Sequence, residues 1–375
     1  MVKKLFYGDN LDILRDKIET ETIDLIYLDP PFNSQANYNV LFKTPEGEKS
    51  QAQITAFEDT WIWGIESERF LFELKNIKGE LWELLDLLVR TLGKNSLSAY
   101  LVMMTIRLVE LHRVLKKTGS LYLHCDPSAS HYLKMILDLI FGAINFRNEI
   151  IWERSKNRSS ISKIYRKAHD VILFYTKSDD YFFQMQYKEL AQGALDNYRY
   201  EDEKGKYSSV PLLVSGKRNG ETGKIWRGID PNNRGKSGMH WVTIPDKLEE
   251  YDRQGLVIFS KNGVPRLKYY LTENTGVPLN DNWYDINLIG SSSKESLGYP
   301  TQKPLALLER IINSSSKEND LILDPFCGCG TAVHAAEKLK RNWIGIDLNY
   351  LAISFTEKRL LNAFSQNLKF TIQNN

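Results

Sequence analysis

Long hydrophobic runs are missing from this chain of 375 residues. No window approaches the roughly 18 consecutive apolar residues that a membrane-spanning helix needs. The start of the chain, Met1-Val2-Lys3-Lys4-Leu5-Phe6-Tyr7, runs straight into Gly8-Asp9-Asn10, an apolar piece too short for a signal peptide, so the protein is expected to stay in the cytoplasm. Cysteine is scarce: Cys125, Cys327 and Cys329 are an odd set, which argues against a disulfide framework and fits a reducing compartment. Cys327 and Cys329 have no second pair and no suitably spaced histidine, so no metal site is expected. A strong charge of one sign is also absent, the formal net charge being +2. Internal repeats and low-complexity tracts are not evident.

What remains is the composition of an ordinary globular protein, 42% hydrophobic and 26% charged. The length exceeds what one core usually organises, so two domains are expected. Charge is unevenly spread: residues 151–270 hold 22 Lys and Arg against 15 Asp and Glu, and the rest of the chain is net acidic.

Residues 22–28, rich in β formers and stopped by Asp29-Pro30-Pro31-Phe32, read as a buried parallel strand. Residues 65–117 read as helical, because Leu71, Leu74, Ile77, Leu81, Leu84, Leu85, Leu88 and Leu92 recur at three- and four-residue spacing. This stripe is expected to pack in the core, and Gly119 is expected to close the helical segment. Strands at 120–124, 148–152 and 170–175, with a helix at 131–141, continue an α/β alternation. Between about 185 and 290 the alternation fails in a stretch rich in Gly, Asn, Arg, Lys, Trp and Tyr. It resumes with a strand at 321–323, a helix near 331–340, a strand at 343–346 and a helix near 350–361.

Two constellations carry chemistry. Asp324-Pro325-Phe326-Cys327-Gly328-Cys329-Gly330-Thr331 follows a strand and opens a helix, and its glycines permit a sharp turn and close approach to a ligand. Asp347 stands 23 residues after Asp324 at the next strand end, where an acidic residue can hold the hydroxyls of an adenosine ribose. Gly328, Gly330 and Ala332 fall one residue short of the dinucleotide spacing, which disfavours a pyrophosphate and favours a nucleoside-type ligand. At the other end of the chain, Asp29 and the Pro30 carbonyl are acceptors on a turn stiffened by Pro31, with Phe32 available to stack. Such acceptors can draw the protons of an exocyclic base amine and localise its lone pair, as enzymes that act on an extruded base require.

These residues resemble the amino-methylating DNA methyltransferases of the permuted β class, in which the catalytic motif precedes the cofactor motif. Asp29 to Phe32 match the D-P-P-[FY] motif, Asp324 to Thr331 the D-P-F-x-G-x-G-T motif, Tyr299 to Pro304 a P-T-Q-K-P segment, and Gly8-Asp9-Asn10 a G-D-N element. The resemblance implies a Rossmann-like methyltransferase sheet, mostly parallel, with helices on both faces, permuted motif order and an inserted loop-rich target-recognition domain. Its parts would be a catalytic half at 1–184 with a helical insertion at 65–117, a recognition domain at 185–290 and a cofactor half at 291–375. The implied cofactor is S-adenosyl-L-methionine, and the implied partner is double-stranded DNA, acted on in a prokaryotic nucleoid. A homodimer and a separate restriction endonuclease are partners the sequence leaves open.

By the same resemblance Asp29 and Pro30 accept from the target amine and Phe32 stacks on the base. Asp324, Phe326, Gly328 and Gly330 shape the cofactor pocket and Asp347 holds the ribose. Asp9 lies near the adenine, and Thr301 and Lys303 near the methionine end. Arg218, Lys224, Arg227, Arg234 and Lys236 are the candidate DNA contacts, on a glycine-bearing segment expected to grip DNA as a mobile loop. His124-Cys125-Asp126 is expected to form the wall of the base pocket. Aspartate at the head of the catalytic motif favours adenine over cytosine. The competing classes are a nucleotide-dependent oxidoreductase, a non-catalytic DNA-binding module, and a methyltransferase of RNA or protein amides.

Overall fold

The computed structural model describes residues 2–31, 37–39, 55–58, 61–154, 163, 165, 167–188, 190, 192–271, 276–290, 293–299, 301–365 and 368–374. They form two compact units, one of residues 1–185 and 280–375 and one of residues 186–279.

The first unit is built on nine strands. In chain order its elements are β1 (Lys3–Tyr7), α1 (Asn10–Lys17), β2 (Ile23–Leu28), α2 (Ile65–Ile77), α3 (Gly79–Leu92), α4 (Ser96–Val114), β3 (Leu115–Cys125), α5 (Ser130–Phe141), β4 (Phe146–Glu153), β5 (His169–Thr176), β6 (Asn282–Trp283), α6 (Leu305–Ser315), β7 (Leu321–Asp324), α7 (Thr331–Lys338), β8 (Asn342–Asp347), α8 (Tyr350–Phe364) and β9 (Thr371–Asn374). The sheet order is β6-β4-β5-β3-β2-β7-β8-β1-β9. β5 runs antiparallel to β3 and β4, and the other pairings are parallel. From β2 the chain proceeds outward to β3, and from β7 it proceeds the opposite way to β8. The neighbours β2 and β7 therefore flank a topological switch point, and ligands of open α/β sheets gather at the carboxyl ends of such strands.

Alternate side chains along the strands bury against opposite layers of helices. One face packs Ile26, Leu28, Leu121 and Leu123 against Leu14, Leu74, Leu85, Leu108 and Leu137 of α1 to α5. The other packs Leu25, Tyr27, Tyr122 and Trp152 against Leu308, Ile312, Ala335 and Ile353 of α6 to α8. Leu81, Leu85 and Val89 are buried, so the leucine stripe is core, whereas Ile77 is 46% exposed.

Gly119 does not end a helix. α4 ends at Val114, and Gly119 lies inside β3, where the pairing with β2 shifts register. A Cβ there would come within 2.5 Å of Leu115, so glycine serves the bend of the strand. The stretch expected as a loop-rich insertion over 185–290 also differs at both levels. Residues 280–290 pack in the first unit, where β6 pairs with β4 and the Trp152 indole donates to the Ile286 carbonyl at 2.8 Å. The second unit holds a four-stranded antiparallel sheet, with strands Val257–Phe259, Pro265–Tyr270, Gly205–Pro211 and Tyr200–Asp202 in that spatial order. Its core is Leu212, Leu213, Trp226, Trp241 and Leu248. No described helix is long and apolar enough to cross a membrane.

Candidate active site

Asp29 directly follows β2 and Asp324 ends β7, and the loops beyond them border a cavity of about 360 Å³. Asp9, Asp29, Pro30, Pro31, Thr301, Lys303, Asp324, Phe326, Gly328 and Asp347, drawn from five separate stretches of sequence, all line it. Gly330 lies behind this wall and Phe32 lies outside the described residues.

The turn after β7 is held from three sides. Asp347, at the end of β8, accepts the Gly328 N–H on one carboxylate oxygen and the Asn349 N–H on the other, each at 2.8 Å. Thr356 of α8 donates to the Gly328 carbonyl at 3.0 Å. Gly330 caps α7 in the left-handed region at φ 74°, and a Cβ there would meet Thr356 at 2.5 Å. Both the conformation and the space demand glycine. Asp347 is 8% exposed, and burial pushes its carboxyl up to about 6. Burial also drives Asp324 well above the ordinary range, with the charges of Asp29 and Asp347 adding to the effect.

Asp9 caps α1 by accepting the Leu11 N–H at 2.7 Å, and both its oxygens lie 2.9 Å from the Arg107 guanidinium. Arg107 also donates through Nε to Asn10 Oδ1 at 2.6 Å, while Asn10 Nδ2 donates to the Pro325 carbonyl at 2.7 Å. A cation buried on α4 thus ties the N-terminal element to the turn after β7. Sequence reasoning passed over Arg107. The available signal was a lone charge between Ile106 and Leu108 in an otherwise apolar stretch of helix.

Lys303 makes an ion pair with Asp29, and both side chains are largely buried. The resemblance set Lys303 beside the methionine end of the cofactor; here its ammonium lies on the catalytic-motif carboxylate. His124 is fully buried, with Nδ1 3.0 Å from the Tyr27 hydroxyl and Nε2 3.1 Å from Asp170 Oδ2. Tyr27, not His124, joins the cavity wall. Among the described residues no cluster of His, Cys, Asp and Glu is arranged to hold a metal ion.

The expected DNA contacts all lie in the second unit. Arg227 is committed to Glu249 at 2.8 Å and Asp252 at 2.7 Å, and Lys224 to Glu221 at 2.5 Å. Arg218 and Lys236 are exposed and Arg234 is half-buried. Their segment is internally bonded, contrary to the mobile loop expected: Asn232 Nδ2 donates to the Arg218 and Gly223 carbonyls at 3.1 Å each, and its Oδ1 accepts the Arg218 N–H at 3.1 Å.

The profile of a family described as DNA methylase matches residues 23–358, spanning β2 to α8 and therefore both halves of the cavity. The chain belongs to the DNA methylase family. Among its relatives, the Type II methyltransferase M.EcaI of Enterobacter cloacae is 35% identical over 263 residues, covering 70% of this chain and 57% of that protein. The StyLTI Mod subunit, a Type III restriction-modification enzyme of Salmonella typhimurium, is 28% identical over 344 residues, covering 88% and 49%. The DNA adenine methyltransferase YhdJ of Escherichia coli K12 is 24% identical over 358 residues, covering 96% and 82%. The chain spans little more than half the length of M.EcaI and about half that of the Mod subunit.

Proposed function

We propose that this DNA methylase transfers a methyl group from S-adenosyl-L-methionine to the exocyclic amine of an adenine flipped out of duplex DNA. The observation that carries the reading is the convergence of Asp29 and Pro30 with Asp324, Gly328 and Asp347 on one cavity at the switch point of the sheet.

The residues fit the cofactor. Each Asp347 oxygen accepts one backbone N–H and keeps a lone pair for a ribose hydroxyl. Asp9, Asp29, Asp324 and Asp347 give the wall acidic character, against the cations Arg107 and Lys303. That suits a ligand carrying sulfonium and ammonium charges. When bound, the cofactor supplies an electrophilic methyl group.

The chain's own work is positioning. Asp29 and the Pro30 carbonyl accept the two amine protons and turn the nitrogen lone pair out of conjugation, and the proline pair holds those acceptors in place. Lys303 sits on Asp29 as its counter-cation. Phe32 stacks on the base, and the second unit, in which Arg218, Arg234 and Lys236 form no ion pair among the described residues, serves target recognition. Adenine is preferred because aspartate heads the motif and because one relative is named a DNA adenine methyltransferase.

Incubating the purified chain with the cofactor and mixed-sequence duplex DNA, then separating the nucleosides by mass spectrometry, tests this reading. N6-methyladenine is the expected product. N4-methylcytosine alone would overturn the adenine assignment, and unmodified DNA would overturn the substrate.

A further inference from the structure

Beneath Asp29 a chain of buried polar groups crosses three adjacent strands on one face of the sheet. Tyr27 lies on β2 two residues before Asp29, which follows the strand, and Tyr27 shares the cavity wall with Asp29 and Pro30. Its hydroxyl lies 3.0 Å from His124 Nδ1 on β3, and His124 Nε2 lies 3.1 Å from Asp170 Oδ2 on β5. Arg154, beyond β4 and 36% exposed, stands 3.3 Å from the other Asp170 oxygen. Trp152 closes the imidazole from its side, edge to face at 5.6 Å. Tyr27, His124 and Asp170 are each 2% exposed or less, and burying three such groups costs free energy unless they form a satisfied network.

The network has a direction. Against the penalty of burial, the hydrogen bond from His124 and the charge of Arg154 hold Asp170 below the ordinary carboxylate range, so it only accepts. His124 therefore carries its proton on Nε2, and its Nδ1 lone pair takes the phenol proton of Tyr27. The Tyr27 oxygen is left with lone pairs toward the cavity.

The geometry points to Tyr27, His124 and Asp170 as the outlet for the proton that the target amine loses on methylation. This rests on the reading of the site as an amine methyltransferase. A nitrogen that gains a methyl group must shed one hydrogen as a proton. The N–H bond first directed at the Pro30 carbonyl, which cannot keep a proton, breaks and an O–H bond forms at Tyr27. At the same time the phenol's original proton passes to His124 Nδ1, giving an imidazolium whose charge Asp170 balances. No electrons change hands and no further reactant is consumed. The proton returns to water along the same path after the product leaves. Asp29, ion-paired with Lys303, then keeps its role of orienting the amine without also having to store the proton.

Tyr27→Phe tests this with the ring and its packing kept, and Asp170→Asn is the second variant, keeping the shape of the carboxylate. Tyr27 and Asp170 bond His124, the charge of Asp29 acts on Tyr27, and the charges of Arg154 and Lys303 act on Asp170, so Asp29, Arg154 and Lys303 stay constant in both variants. In single-turnover methylation of duplex DNA, Tyr27→Phe is expected to slow transfer at least about tenfold, with cofactor and DNA affinities within about twofold of wild type. The pH dependence of the rate should change in both Tyr27→Phe and Asp170→Asn. As a readout independent of activity, nitrogen NMR of His124 should show the Nε2–H tautomer in wild type and its loss in Asp170→Asn. A purely structural role would lower stability or affinity and leave the pH profile unmoved. Wild-type rate and pH profile in Tyr27→Phe, beside an active wild type, would overturn the outlet and leave the methyltransferase reading standing. No transfer by wild type would overturn both.

Discussion

Lowering the pH from 8 to 5 should weaken the binding of S-adenosylhomocysteine about tenfold, and Asp347 is the reason. Its carboxyl is buried at the end of β8 and sits at about 6, well above the ordinary value of 3.8. Both oxygens already accept a backbone N–H, from Gly328 and Asn349. With each oxygen already accepting one N–H, a proton on either oxygen takes a site that a ribose hydroxyl would use, so both hydroxyls are well accepted only while the group is ionised. At pH 5 about nine of ten ligand-free molecules hold the proton, and each unit below the pKa weakens the interaction by about 1.4 kcal/mol. The ligand must then expel that proton, so about 0.9 proton should be released per ligand bound at pH 5 and few from this group at pH 8. The linkage to stability has the opposite sense to that of an ion-paired aspartate. A raised folded-state pKa means that the ligand-free fold holds a proton the unfolded chain has already lost between pH 3.8 and about 6. Stability from this group therefore falls as pH rises through that window. Isothermal titration calorimetry in two buffers of different ionisation enthalpy measures both affinity and proton release. Asp347→Asn should bind weakly at every pH and show no inflection near 6. Affinity of the wild type that stays constant from pH 5 to 8, with no proton released, would refute the placement of the ribose on Asp347.

Two substitutions probe the frame around that carboxylate. Gly330→Ala should lower stability by about 1–2 kcal/mol for the left-handed backbone alone, and by more because its Cβ would meet Thr356 at 2.5 Å; an unchanged thermal midpoint would contradict this turn geometry. Arg107→Met removes the cation that joins Asp9 and Asn10, and through Asn10 the Pro325 carbonyl. Because Asp9 is 40% exposed and keeps access to water, denaturant titration should show a loss of about 1–3 kcal/mol rather than more. Cofactor affinity should fall with it, and full retention of affinity would show that Asp9 is not held for that purpose.

The parts of the site legible in the sequence are those written locally. The apolar run of β2 stopped by Asp29-Pro30-Pro31, and the strand–turn–helix of Leu321 to Lys338 with Asp347 beyond it, declare both their elements and their chemistry. Elements whose stability comes from distant partners were harder to read. β1 and α1 have only short apolar patterns, and β1 owes its place to pairing with β8, some 340 residues away. The sheet of the second unit has strands of three to seven residues, too short to show a period against Tyr, Lys and Gly. Gly119 gave a misleading stop signal because a bend in a strand and the end of a helix both call for the same small residue. Arg107 on Asp9 and Lys303 on Asp29 join groups 98 and 274 residues apart. No spacing rule reaches that far, and so the resemblance could place Lys303 at the cavity without naming its partner.

The central claim is that Asp29 drives methyl transfer at a cofactor site built around Asp324 and Asp347. Transfer of labelled methyl from S-adenosylmethionine to duplex DNA, measured for wild type and for Asp29→Asn together with the binding of S-adenosylhomocysteine to both, tests it most directly. The predicted result is labelled DNA with wild type, loss of transfer by at least about a hundredfold in Asp29→Asn, and closely similar cofactor binding by the two. Asp29→Asn that transfers methyl groups at the wild-type rate would contradict the account.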